Sequence, residues 1–121
     1  MITITSFGYL HATPPRGHVI DLRERMKDPA AAAVRIDGRP LRELTAEHPA
    51  VARYVLAHPE APAIRAEIVA AARAHGAVAV GCAGGRHRSA ALAAAAAEDL
   101  RRAGHRVRLE HRDITKPVIR H

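Results

Sequence analysis

Apolar and polar residues alternate along Ile2-Thr3-Ile4-Thr5-Ser6-Phe7, a period of two that predicts a strand. A turn-rich stretch from Gly8 to Gly17, with Pro14-Pro15, separates it from Val19-Ile20-Asp21-Leu22, a second short strand. Between Arg23 and Arg42 the periodicity fails, and Pro29, Gly38 and Pro40 interrupt, so this segment reads as loop with one short helix. Thr45 is placed to cap the turn leading into a helix near Pro49 to Ala57, which Pro59 breaks. A second helix covers Ala61 to His75 and ends at Gly76. Ala77 to Gly81 reads as a buried strand, Ala90 to Leu100 as an alanine-rich helix closed by Gly104, and Arg106 to His111 as a last strand. The segment around Pro117 is a tail. Helices alternating with strands predict right-handed crossovers and one α/β domain over residues 1–121, its mainly parallel sheet covered by helices on both faces.

The loop between the Ala77–Gly81 strand and the following helix is the most informative stretch: Gly81-Cys82-Ala83-Gly84-Gly85-Arg86-His87-Arg88-Ser89. Small residues between a strand end and a helix start leave backbone N–H groups unpaired, and the helix dipole adds positive potential there. Gly84 to Arg88 are therefore candidates to hold phosphate oxygens through their N–H groups, with Arg88 adding a guanidinium fork. Cys82, Ala83, Arg86 and His87 belong to the same candidate ligand site, and Ser89 is placed to bond either Cys82 or the phosphate. In a parallel sheet ligands gather at the carboxyl ends of strands. Asp21 and Arg23 stand at such an end, either to bind sugar hydroxyls and phosphate or to pair with each other. His111 and Arg112 stand at another, either in the same crevice or on an RNA-binding edge.

Charge points to an anionic partner. Lysine and arginine number 19 against 12 acidic residues, a formal net charge of +7, and Lys27 and Lys116 are the lysines. The basic residues crowd the last fifth: Arg101, Arg102, Arg106, Arg108, Arg112, Lys116 and Arg120, beside His105, His111 and His121. Arg106, Arg108, His111 and Arg112 are the candidates for contact with structured RNA. Aromatic residues make up 2% of the chain, so any such contact rests on phosphates rather than base stacking. The histidines form no His-x3-His or His-Glu-x2-His pattern, and neither a metal nor a cofactor is expected. One cysteine excludes an internal disulfide. No apolar run approaches the roughly 20 residues of a membrane span, and the N-terminus lacks a signal-peptide layout, so a cytoplasmic protein is expected.

Cys82, five residues, Arg88 and Ser89 also satisfy the Cys-x5-Arg-Ser/Thr pattern of cysteine-based phosphatases. In that reading Cys82 is the nucleophile and Arg88 clamps the phosphoryl group. That family usually has His immediately before the cysteine, where this chain has Gly81, and neither Asp113 nor Asp21 is an evident leaving-group acid.

A wider set of residues resembles another family. Gly81 to Ser89, followed after one helix and one strand by His111-Arg112-Asp113, is similar to the RapZ C-terminal domain. Ser6-Phe7-Gly8, Asp21-Leu22-Arg23, Leu41-Arg42-Glu43-Leu44-Thr45, Val51 and Tyr54-Val55-Leu56 resemble other stretches of it, so the likeness spans nearly the whole chain. It implies a fold like a phosphofructokinase subdomain that binds glucosamine-6-phosphate and small regulatory RNA. The family's full-length members present RNA to a ribonuclease and carry a P-loop nucleotide-binding half. Gly-x4-Gly-Lys-Ser/Thr is absent here, which makes a stand-alone domain the expectation, with a separate nucleotide-binding protein or a second copy of the chain as further partners. Asp28-Pro29-Ala30, Ala46 and His48 depart from the family pattern, which bears on sugar specificity more than on the phosphate site. Two classes thus stand: a regulatory module that binds a phosphorylated small molecule, structured RNA or both without turnover, and a phosphatase using Cys82.

Overall fold

A computed structural model describes residues 1–27 and 31–119. In chain order it has β1 (Ile2–Gly8), β2 (His18–Asp21), β3 (Arg35–Ile36), β4 (Arg39–Pro40), α1 (Pro49–Leu56), α2 (Ala61–His75), β5 (Ala77–Cys82), α3 (Arg88–Arg102) and β6 (Val107–His111). The main sheet runs β2-β5-β1-β6 with every pair parallel, so the fold is α/β as expected. The Asp28-Pro29-Ala30 departure, Arg120 and His121 lie outside the described residues.

Strand alternation decides where the helices go. Ile4 pairs with Val78 on one side and Leu109 on the other, and Ile20 pairs with Val80. These side chains share one core with Ile64, Ile68 and Ala72 of α2 and with Leu92, Ala96 and Leu100 of α3. The alternate positions are Thr3, Thr5, Val19 and the Arg108–Glu110 ion pair. The long helices therefore lie side by side on one face, rather than on both as expected, joined by a bidentate Arg65–Asp99 pair at 2.6 and 2.7 Å. Topology gives the reason. The crossovers from β2 to β5 and from β5 to β6 step the same way along the sheet, and right-handed crossovers stepping one way share a face. Alanine makes that packing close: Ala90, Ala91, Ala93, Ala95, Ala96 and Ala97 of α3 are all buried.

Local chemistry sets the element ends. α2 stops at Gly76 in the left-handed conformation, as expected. α1 is capped by His48 rather than Thr45: the His48 Nδ1 accepts from Ala50 N–H at 3.1 Å, while Thr45 Oγ1 accepts from Glu47 N–H. In the stretch read as loop, β3 and β4 form a small hairpin around Asp37-Gly38, both at positive φ. Leu41, Leu44 and Val51 build a second small core beside it.

Glycine is required where the ends of β1 and β5 touch. A Cβ on Gly8 would lie 2.5 Å from the Gly84 carbonyl carbon, and one on Gly85 would lie 2.7 Å from the Gly8 nitrogen. Gly85 also holds φ +76°, whereas Gly84 faces open space. Gly85→Ala is expected to cost more than about 2 kcal/mol in urea unfolding, and Gly84→Ala less than about 1. Equal effects would mean that this contact does not shape the turn.

Candidate functional site

The carboxyl ends of all four parallel strands lie at one edge of the sheet: Gly8, Asp21, Cys82 and His111. Asp21, Arg23, the 82–89 loop, His111 and Arg112 gather there, whereas Arg106 and Arg108 do not, and those that gather divide among several environments. Cys82 is 3% exposed, its Sγ 3.1 Å from Ser89 Oγ and accepting from Gly85 N–H at 3.3 Å. Ser89 Oγ in turn donates to the Phe7 carbonyl at 3.3 Å. Cys82, Gly85 and Ser89 thus form an internal knot joining β5, α3 and β1. The Ala83 carbonyl accepts from Leu10 N–H, tying down the loop after β1.

Arg86, His87 and Arg88 leave the loop in different directions. Arg86 Nη1 donates to the carbonyls of Lys116 at 3.0 Å and Ile114 at 3.4 Å. The His87 Nε2–H lies 2.9 Å from the Leu41 carbonyl and 2.7 Å from that of Leu44. Since carbonyls only accept, this fixes the Nε2-protonated tautomer. Burial lowers the His87 pKa; the two carbonyls oppose that shift, and Arg86 and Arg88 reinforce it. Arg88 Nη1 donates to the carbonyls of Leu22 at 3.0 Å and Arg25 at 2.9 Å, fastening the segment after β2 to the start of α3. The same segment is held by Glu60, which accepts from Met26 N–H at 2.8 Å, and by an Arg25–Glu67 pair.

That segment, α1 and the His87-Arg88 step enclose a cavity of about 890 Å³. Arg23, Lys27, His58, His87 and Arg88 supply its polar lining, over apolar ground from Met26, Leu41 and Val55. No carboxylate lines it among the described residues. Arg23 is set in place by the Asp21 carboxylate, at 2.7 Å from Nη2, and lies over the Tyr9 ring, 3.7 Å from its centroid. The Arg23 hydrogen bond keeps Asp21 below the ordinary carboxylate pKa. Asp21 therefore positions the arginine from outside the cavity lining. Helix α3 begins at Arg88, which lines the cavity, with no side-chain cap, so the positive end of its dipole lies beside it. Lys27 and His58 were missed by sequence reasoning, because they lie in aperiodic stretches that acquire chemistry only when folded together.

The C-terminal candidates do not form one surface. Arg106 precedes β6, at the opposite end of the sheet from the crevice, and Arg108 pairs with Glu110. His111 Nδ1 is 2.6 Å from Ser6 Oγ, and burial lowers its pKa against the pull of Glu47. Arg112 folds back on Asp113 and on the Thr13 carbonyl, 2.6 Å away. Asp113 has no exposed surface and accepts from Gly8 N–H, Arg112 and Lys116. Burial alone would raise its pKa, but these donors prevail and hold it at about 2. Its ionisation contributes on the order of 2 kcal/mol above about pH 4, lost as the pH falls through about 2. Among the described residues no group of three potential ligands could hold a metal ion, and no helix is long and apolar enough to cross a membrane.

Fold and site together define an α/β domain with a cationic crevice at the carboxyl edge of its parallel sheet. The chain belongs to the RapZ C-terminal domain family, whose sequence profile matches residues 1–115. It is 32% identical over 124 residues to a nucleotide-binding protein of Paramagnetospirillum magneticum, covering 93% of this chain and 39% of that protein. A nucleotide-binding protein of Anaeromyxobacter dehalogenans is 33% identical over 127 residues, covering 95% of this chain and 41% of that protein. The chain thus spans about two fifths of the length of these relatives.

Two half-buried histidines with lowered pKa values make stability depend on pH. Their folded pKa values lie below 6.5, so the unfolded chain binds more protons in that range and stability falls as the pH drops below about 6.5. Chemical denaturation at about pH 7.5 and pH 5.5 should show this loss, with a flatter slope in a His87→Asn, His111→Asn double variant. An identical slope in that variant would contradict the assignment.

Proposed function

We propose that this domain binds the phosphate of a small phosphorylated molecule in the crevice between Arg23, Lys27 and Arg88, and acts as a regulatory module without turning the ligand over. The observation that carries this reading is a cavity lined by three cationic side chains, with no carboxylate among its described lining residues. The uncapped start of α3 adds positive potential at the same rim. Met26, Leu41 and Val55 offer an apolar wall to the uncharged part of the ligand. The family resemblance makes an amino-sugar phosphate such as glucosamine-6-phosphate the first ligand to test.

The alternative, a phosphatase, requires an accessible thiolate facing the arginine. Cys82 lies inside the protein on Ser89 and Gly85, and it does not line the cavity. Its placement favours a structural thiol. Structured RNA is not carried into the proposal, since Arg106, Arg108, His111 and Arg112 are dispersed. Binding of a cytoplasmic sugar phosphate would suit a regulatory domain whose partners are other proteins of the same compartment.

Isothermal titration should detect glucosamine-6-phosphate, with glucosamine binding much more weakly because it lacks the anion. An Arg23→Ala, Lys27→Ala double variant is expected to weaken binding by about tenfold or more. These residues are preferred to Arg88, whose loss would also release Leu22 and Arg25. Unchanged affinity would reject the crevice. Hydrolysis of an aryl phosphate that disappears in Cys82→Ser would reject the binding-only reading.

A further inference from the structure

The loop that supplies His87 and Arg88 to the crevice sends Arg86 to a second groove of about 930 Å³. The same division runs through the turn after β4: Leu41 lines the crevice, while Arg42 and Glu43 line the groove. The two hollows therefore stand on opposite sides of the contact that His87 makes with this turn. Among the described residues Arg39, Arg42 and Arg86 line the second groove against one carboxylate, Glu43, which lies 3.8 Å from Arg39. Arg86 is not saturated by its own chain, because its Nε–H is buried without an acceptor among the described residues. Val118 and Ile119, 52% and 39% exposed, form the remaining wall.

We propose that this groove docks an acidic peptide segment of a partner protein, with carboxylates on Arg39 and Arg42 and aliphatic side chains against Val118 and Ile119. Charge complementarity sets the sign of the occupant, and the aliphatic wall selects a peptide over a nucleic acid. Among the described residues no aromatic ring lines the groove to stack a base. Arginine forks match carboxylates two bonds at a time, which gives such a segment register as well as attraction. Arg86 links the groove to the residues after β6 through the Ile114 and Lys116 carbonyls, so a docked segment would rest on that turn.

Fluorescence anisotropy with a short fluorescein-labelled peptide alternating Glu and Leu tests this. Saturable, salt-sensitive binding is expected, weakened about tenfold or more in an Arg39→Ala, Arg42→Ala double variant and unchanged in Arg23→Ala, Lys27→Ala. Both altered arginines are exposed, and a thermal melt of the double variant verifies that it folds. A matching Lys–Leu peptide should not bind. Absence of saturable binding, equal binding of the Lys–Leu peptide, or indifference to the Arg39 and Arg42 changes would overturn the proposal. Displacement of the Glu–Leu peptide by polyuridylate at lower concentration would also overturn it, assigning the groove to nucleic acid.

Discussion

Asp113 carries its charge with no exposed surface, and the geometry of the carboxyl edge follows from how that charge is satisfied. One oxygen accepts from Gly8 N–H at 2.7 Å and from Arg112, and the other accepts from Lys116 at 2.6 Å. A buried carboxylate is tolerable only when its lone pairs are filled. The end of β1 must therefore meet the residues after β6. Gly8, held there, packs on Gly84 and Gly85, and a side chain on Gly8 or Gly85 would collide with backbone. Arg112, turned inward by the same charge, anchors the loop after β1 through Thr13. The ends of β1, β5 and β6 become one rigid block, and the crevice opens on its β2 side.

On that block, consecutive residues serve different neighbours. Cys82 and Ser89 close the interior, Arg86 faces the tail, His87 holds the Leu41–Leu44 turn, and Arg88 reaches the segment after β2. A sharp strand-to-helix turn makes this possible, since each successive side chain leaves at a new angle. Arg88 has two consequences at once. It presents a guanidinium to the cavity, and it clamps the segment that brings Arg23 and Lys27 to the same space. The proposed ligand contact and the local order of this segment thus share one side chain.

Much of the scaffold was legible in the residues. The alternation of β1, the Gly76 stop and the strand–glycine–helix step at 77–88 all depend on local sequence, and they reappear in the structure. The placement of both long helices on one face was not read, although Thr3 and Thr5 already mark the other face as polar. The Asp37-Gly38 hairpin carried a recognisable turn signal that was passed over amid the neighbouring prolines. The site was only half legible. Arg23, His87 and Arg88 were singled out and do share the cavity, whereas Lys27 and His58 enter it through tertiary folding alone. Arg86 and Cys82 belong to the motif by spacing and leave the cavity by geometry, a distinction that linear spacing does not encode.

The central claim is that a phosphorylated small molecule occupies the crevice at the β2 side of this edge. Amide chemical shifts of the nitrogen-15-labelled chain, followed during titration with glucosamine-6-phosphate, test it most directly. Saturating shifts concentrated at residues 23–27, 54–58 and 87–88 are expected. Shifts centred on residues 39–43 and 118–119, or no saturable shifts at all, would contradict it.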